Sequence, residues 1–300
     1  MSPGGSPVEA SMELRQAFLG AIAAALEEDL GTEGLDLDAD ITTHATVPSD
    51  VWGSATVYAK QDGVICGVTA LKLTYAEIDK RVAVKTSVKD GDPVANGDVV
   101  ATVEGPARSI LVGERTALNI VSHMSGIATT VREFVNAAPG VELSDTRKTL
   151  PGLRRLQKYA VRTGGGANHR YALWDGVLIK DNHIVAAGGV GEAVRRARAD
   201  SAMPVQVECT SLPEVDEGLE AGAVAFLLDN QSPDELRALV ARIREVRDFA
   251  MIEASGGVTI ANVAEVAQTG VDRISIGAFT HSAHALDLSM KLERVWKREG

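Results

Sequence analysis

From residue 141 onward the chain repeats one rhythm: a short apolar run, a polar or glycine-rich end, then an amphipathic stretch. The apolar runs fall at 141–144, 177–179, 205–207, 224–228, 250–253 and 273–276. Helical spacing follows most of them, at 154–161, 190–199, 212–221, 233–246 and 260–269. Strands alternating with helices build parallel βα units, because a parallel pair needs a crossover long enough to hold a helix. Six strands, with room for one more, make either a doubly wound sheet or a closed α/β barrel. In both, chemistry collects where strands end at their C-termini.

The part before residue 141 has a different texture. Leu14, Phe18, Leu19, Ile22 and Leu26 mark an amphipathic helix over 11–30, with Gly31 as its stop. A polar loop is expected at 36–48. The period then changes to two, with strands expected at 51–60, 64–67, 82–88 and 99–103 and a helical stretch at 71–78. Turn signals stand at 89–93 and 95–98. A long helical pattern covers 109–138, and Ser125-Gly126 is expected to break it in two. A last helix is expected over 282–297, packing back on the first part. This divides the chain into a small α+β domain, 1–117 with 283–300 returning to it, and an α/β domain at 118–282.

Composition excludes several classes. The formal net charge of −11 over 300 residues gives no reason to expect nucleic acid or an anionic membrane as a partner. No run approaches the roughly 18 apolar residues of a membrane span. The start, MSPGGSPVEA, has neither a basic n-region nor an apolar h-region and reads as a disordered lead-in rather than a signal peptide. Cys66 and Cys209 lack any paired spacing, so buried free thiols in a reducing cytoplasm are expected, not a disulfide or a zinc site.

Against that acidic background, residues 145–183 hold eight Lys and Arg and three Asp, a local balance of +5. Such a reversal focuses an anion site. Placed on the expected strand ends, Arg147, Lys148, Arg170 and Lys180 with His169 form a cationic group suited to a ligand with more than one negative charge. Glu208 and Asp229 end successive strands, where paired carboxylates serve Mg²⁺ or sugar hydroxyls. Ser255-Gly256-Gly257 opens a helix expected near Thr259, and Gly277 makes a second glycine turn with His281 close behind. Both turns suit phosphate. Glu114-Arg115 on the long helix reads by itself as a surface ion pair. Together these describe a pocket for a phosphorylated sugar, a divalent cation and a small polyanion.

Five segments in this order, ERTALNIVSHMSGIAT, DTRKTLPGLRRLQKYAV, GGGANHRYALWDGVLIKDNH, EASGGV and ISIGAFTHS, resemble the quinolinate phosphoribosyltransferases, the decarboxylating nicotinate-nucleotide pyrophosphorylases. The resemblance covers nearly the whole chain, including DITTHATVP near the start. It implies an N-terminal α+β sandwich domain and an incomplete, TIM-like α/β barrel. It also implies that quinolinate and 5-phosphoribosyl 1-diphosphate become nicotinate mononucleotide, diphosphate and CO₂, with Mg²⁺. By the same resemblance Arg147, His169, Arg170 and Lys180 hold the quinolinate carboxylates, and Lys148 lies between quinolinate and the diphosphate. Arg115 reaches quinolinate from the partner subunit of a homodimer. Glu208 and Asp229 serve the ribose hydroxyls and the metal, and Ser255, Gly256, Gly257, Gly277 and His281 bind phosphate. One departure stands after Glu208, where Cys209-Thr210-Ser211-Leu212 is less polar than the family's usual pattern.

Three readings compete. A homologue with an altered substrate would lack several anion ligands, and here all are present. A nicotinate phosphoribosyltransferase needs fewer cations for its single carboxylate. The segment GDPVANGDVVATVEG resembles a biotinyl or lipoyl carrier hairpin, but its turn has no lysine to modify.

Overall fold

The computed structural model describes residues 12–31 and 35–297. The expected lead-in at 1–10 lies outside them. The described chain forms two compact units, one from Met1–Thr130, Leu150–Gly164 and Ala283–Gly300, the other from Val131–Thr149 and Gly165–Ser282.

In the first unit, helix α1 (Met12–Leu30) buries Leu14, Phe18, Ile22 and Leu26. Their four-residue spacing puts them on one stripe, and burying each contributes roughly 1.5–3 kcal/mol relative to exposure. Gly31, at φ +91°, closes the helix by donating to the Glu27 carbonyl at 2.9 Å. The expected loop at 36–48 is instead a 3₁₀ turn (Leu37–Ala39) and a short helix, α2 (Ile41–Thr46). The Asp40 carboxylate accepts from the Thr43 amide at 2.9 Å and so caps a segment too short to show a period.

Strands β1 (Val51–Ala59), β2 (Gly63–Val64), β3 (Ala83–Thr86), β4 (Pro93–Val94) and β5 (Val99–Pro106) follow, with helix α3 (Val68–Ile78) between β2 and β3. The segment expected as the last helix is a strand, β12 (Leu288–Lys297). It pairs antiparallel with β1, and the main sheet runs β12-β1-β5-β3. Ser54 faces Arg294 while Ala55 faces Leu292, so Glu293 is an extra, bulged residue. Its carboxylate accepts from Tyr58 Oη at 2.7 Å and Thr56 Oγ1 at 3.1 Å.

Helix α4 (Ala107–Ala137) is continuous through Ser125-Gly126, contrary to the expected break. A Cβ on Gly126 would stand 1.8 Å from the His284 carbonyl oxygen. The glycine is there for close backbone approach, not for a kink. Helix α5 (Arg154–Gly164) belongs to this unit as well.

The second unit holds strands β6 (Glu142–Ser144), β7 (Val177–Ile179), β8 (Val205–Cys209), β9 (Ala225–Asp229), β10 (Met251–Ser255) and β11 (Arg273–Ser275). Its helices are α6 (Asp181–Ala187), α7 (Val190–Asp200), α8 (Leu212–Glu220), α9 (Pro233–Val246), α10 (Val263–Ala267) and α11 (Ala278–His281). The bounds of α9 match the sequence expectation because its signals are strong. Pro233 opens it, and Ser232 and Glu235 cap each other's backbone amides. The expected helix at 260–269 shortens to α10.

All five strand pairings are parallel, in the order β6-β11-β10-β9-β8-β7. Strands β6 and β7 thus form the two edges. A single bridge from Ser144 to Ala167 supplies the vestige of a further strand beside β6. Gln206 of β8 and His169, just past that bridge, both reach Glu253 of β10. Contacts across intervening strands require a curved sheet, so this is an incomplete α/β barrel. Phe226, Leu228, Ile252 and Ile274 are buried in it, and Phe134 meets Phe279 edge to face at 5.2 Å between ring centres. No helix among the described residues is long and apolar enough to cross a membrane.

Candidate active site

Six parallel strands put their C-terminal ends on one edge, and the second-unit residues expected at the site lie in the last two residues of a strand (Glu208, Asp229, Ser255) or in the segments after a strand or the Ala167 bridge. Asp145, directly after β6, is fully buried. It accepts from Asn168 Nδ2 at 2.6 Å and from the His169 amide at 2.9 Å, which ties the Ala167 segment to β6. Next come Arg147 and Lys148. The Lys148 carbonyl accepts from Thr280 Oγ1 at 2.8 Å. A Cβ on Gly277 would lie 3.0 Å from Lys148 Cδ and 3.2 Å from His281 Nε2. Gly277 therefore leaves the space in which Lys148 and His281 converge.

Arg170 donates to the Gly176 carbonyl at 3.0 Å. No carboxylate of the described residues pairs with it. Burial, then the charge of nearby Arg147, pull its pKa below the usual guanidinium value. His169 uses one ring nitrogen as a hydrogen-bond acceptor. The Arg170 amide donates to Nδ1 at 2.7 Å, so Nε2 carries the proton, and Nε2 stands 3.2 Å from Glu253 Oε2.

Lys180, at the end of β7, forms an ion pair with Glu208 on β8. Asp229 ends β9, and its carboxylate accepts from Asn230 Nδ2 at 2.6 Å. Asn230 is the one non-glycine with positive φ among the described residues, at +54°. Its amide donates to the Ser255 carbonyl at 2.8 Å, and its side chain packs where a Cβ on Gly256 would be, 2.2 Å from Oδ1. Gly256 and Gly257 both have positive φ, at +87° and +63°. Ser255, Gly256, Gly257 and Asn230 line a cavity of about 170 Å³. The expected helix start at Thr259 is displaced, since α10 begins only at Val263. The glycine turn thus offers its own backbone amides rather than a helix terminus. Gly277 does lead straight into α11, a single turn.

Arg115 lies in the first unit, on α4, and pairs with Glu114 at 2.6 Å with most of its side chain exposed. Glu208 and Asp229 are hard oxygen ligands on adjacent strands, while no group of three metal-ligating side chains converges among the described residues.

Sequence reasoning missed Thr280 and Glu253 as parts of this architecture, and it put Asp145 and Asn230 at strand ends without a role. Glu253 carried a readable signal, because a glutamate inside an apolar strand is seldom buried without partners. The others act through backbone groups whose partners are distant in sequence.

A parallel barrel with cations, two carboxylates and glycine turns along its C-terminal edge is built to hold polyanionic small molecules. The chain belongs to the quinolinate phosphoribosyl transferase family: residues 40–125 match its N-terminal domain and residues 127–291 its C-terminal domain. It is 44% identical over 279 residues to the nicotinate-nucleotide pyrophosphorylase [carboxylating] of Mycobacterium leprae, covering 90% of this chain and 95% of that one. It is 40% identical over 291 residues to quinolinate phosphoribosyltransferase [decarboxylating] 2a, mitochondrial, of Nicotiana tabacum, covering 91% and 82%. The crystal structure of nicotinate-nucleotide pyrophosphorylase from Ehrlichia chaffeensis superposes with a TM-score of 0.85 at 36% identity, over 92% of this chain and 98% of that one.

Proposed function

We propose that this chain transfers the phosphoribosyl group of 5-phosphoribosyl 1-diphosphate to quinolinate and releases diphosphate and CO₂, forming nicotinate mononucleotide for NAD biosynthesis. The observation that supports this reading most is Arg170, whose guanidinium donates to the Gly176 carbonyl at 3.0 Å and has no carboxylate partner among the described residues. A cation left without a carboxylate beside the strand ends calls for an anionic ligand, and quinolinate brings two carboxylates where nicotinate brings one.

Arg147, His169, Arg170 and Lys180 hold the dicarboxylate in this reading, with Lys148 between it and the diphosphate. Glu208 and Asp229 take the ribose hydroxyls and Mg²⁺. Ser255, Gly256, Gly257, Gly277 and His281 take phosphate. The pyridine nitrogen attacks the anomeric carbon as the bond to diphosphate breaks, so positive charge builds on the ribose and negative charge on the leaving group. Positioning and fixed charge then carry most of the catalysis, with Lys148 beside the departing diphosphate. Mg²⁺, when bound, shields the diphosphate charge. Once quaternary, the ring nitrogen stabilises the electron pair left at C2 as CO₂ departs, and a proton replaces the carboxylate there. No organic cofactor is required.

The same reading makes the protein a homodimer in which Arg115 completes the partner's site. Leu173 and Trp174, both largely exposed before β7, are the kind of apolar surface a subunit covers. It also places the protein in the cytoplasm, with neither nucleic acid nor membrane as a partner. The test is release of CO₂ and diphosphate from quinolinate, with and without Mg²⁺, alongside nicotinate. Metal-dependent release from quinolinate alone is expected. Equal turnover of both pyridines would remove the dicarboxylate assignment.

A further inference from the structure

Glu253 sits in the middle of β10 with no exposed surface. One of its oxygens, Oε2, accepts from Gln206 Nε2 at 3.0 Å and lies at ion-pair distance from His169 Nε2, 3.2 Å, and Arg273 Nη1, 3.6 Å. These three groups come from β8, from the segment beside β6 and from β11, so one carboxylate links the strands around the barrel interior. Burial by itself would raise the pKa of Glu253. The hydrogen bond and charge of His169, then hydrogen bonds from Gln206 and Ser275, hold it below the usual carboxylate range. Glu253 is thus a fixed anion beneath the strand ends.

What it holds is a hinge point of the site. His169 accepts from the Arg170 amide on Nδ1 and stands with Nε2 at ion-pair distance, 3.2 Å, from Glu253 Oε2. The imidazole therefore lies between the barrel interior and the backbone that carries Arg170. A carboxylate at that distance draws the ring toward the interior by charge and sets its position. The ring position in turn bears on where His169 and the Arg170 guanidinium meet a ligand. Nothing in the family resemblance or in the names of the relatives assigns Glu253 a role.

We propose that Glu253 is a positioning residue for the dicarboxylate subsite: through His169 Nε2 it fixes the imidazole and, with it, the segment that presents Arg170. This rests on the function proposed above. Outer partners of this kind act by orienting the groups that touch the substrate, and small displacements at a reacting centre carry large kinetic effects.

The test combines kinetics with a readout that needs no substrate. Glu253→Ala and His169→Ala should each raise KM for quinolinate roughly 30-fold while leaving KM for 5-phosphoribosyl 1-diphosphate unchanged. The double variant should be no worse than His169→Ala alone, because Glu253 acts through His169. Glu253→Gln keeps an acceptor in place of Oε2 and should recover most of what Glu253→Ala loses. Nitrogen-15 spectra of the histidine rings, without ligand, should show His169 protonated on Nε2 in the wild type and in Glu253→Gln. Additive losses in the double variant, an equal shift in both KM values, or an Nδ1-protonated His169 in the wild type would each overturn the proposal. If Glu253→Ala does not fold, the glutamine variant and the ring spectra decide. Absence of quinolinate turnover by the wild type would remove the functional reading, while the ring spectra still report on the Glu253–His169 link.

Discussion

Lys180 and Glu208 close an ion pair across the ends of the neighbouring strands β7 and β8. The pair is lopsided: the Glu208 side chain is 8% exposed, that of Lys180 43%. Removing the lysine leaves a nearly buried carboxylate without its cation and takes a positive charge from the dicarboxylate subsite. Lys180→Ala is expected to lower kcat/KM for quinolinate on the order of 100-fold, read by steady-state kinetics. A change below threefold would mean that the pair is a surface contact only.

Gly256 and Gly257 make a controlled comparison within one turn. Both have positive φ, but only Gly256 has a neighbour, Asn230, where a Cβ would go. Gly256→Ala is expected to destabilise the protein by about 1–3 kcal/mol and to raise KM for the phosphoribosyl donor. Gly257→Asn keeps a residue that tolerates left-handed backbone and should fold almost normally. Urea denaturation of the two variants checks the contrast.

A shared site predicts rescue between two inactive proteins. In a mixed dimer Arg115→Ala and Lys180→Ala both fall in the same site, that of the Lys180→Ala subunit, so the other site is intact. After subunit exchange of equal amounts, about a quarter of the wild-type activity should return, the statistical yield for a two-fold dimer. Recovery of none would remove Arg115 from the partner's site.

Asp79 gives a pH prediction in the first unit. Hydrogen bonds from the Arg81 side chain, then from the Arg81 amide and Ser109, bring its pKa down to about 2 against a desolvation that works the other way. A depressed folded-state pKa means stability that is fully present above the unfolded value near 4 and is lost as pH falls toward 2. Asp79→Asn should therefore be less stable than wild type at pH 7, by about 1 kcal/mol because Arg81 is solvent-exposed. The gap should close between about pH 4 and 2. Denaturation curves at several pH values measure it.

The strand ends were legible in the sequence because two periods coincide there: an apolar run fixes the strand, and the first polar residue after it marks the mouth. Lys180, Glu208 and Asp229 were placed at strand ends in that way, and Arg147 just past one, where the structure has them. Strand β12 was not, because Glu293 bulges out of the ladder and shifts the alternation of Leu288, Met290 and Leu292 before Val295. Gly126 misled for a related reason. A glycine in a helix reads as a break, but the carbonyl of His284, the group that requires it, is far along the chain. The Glu253 network stayed hidden because its four members come from four separate segments, and only closure of the sheet brings them together.

The pairing of β1 with β12 has a consequence for how the protein is made. The ladder partner of residues 51–59 is 288–297, so the first strand of the main sheet waits for almost the whole chain to be synthesised. Strand β1 can pair with β5 early, but its other edge stays open until the end. The six barrel strands lie wholly between these partners and can close while that edge is still bare. A ribosome releasing this chain at 5–20 residues per second leaves the exposed edge available for roughly ten seconds or more. During that interval it is the place most open to pairing with another nascent chain.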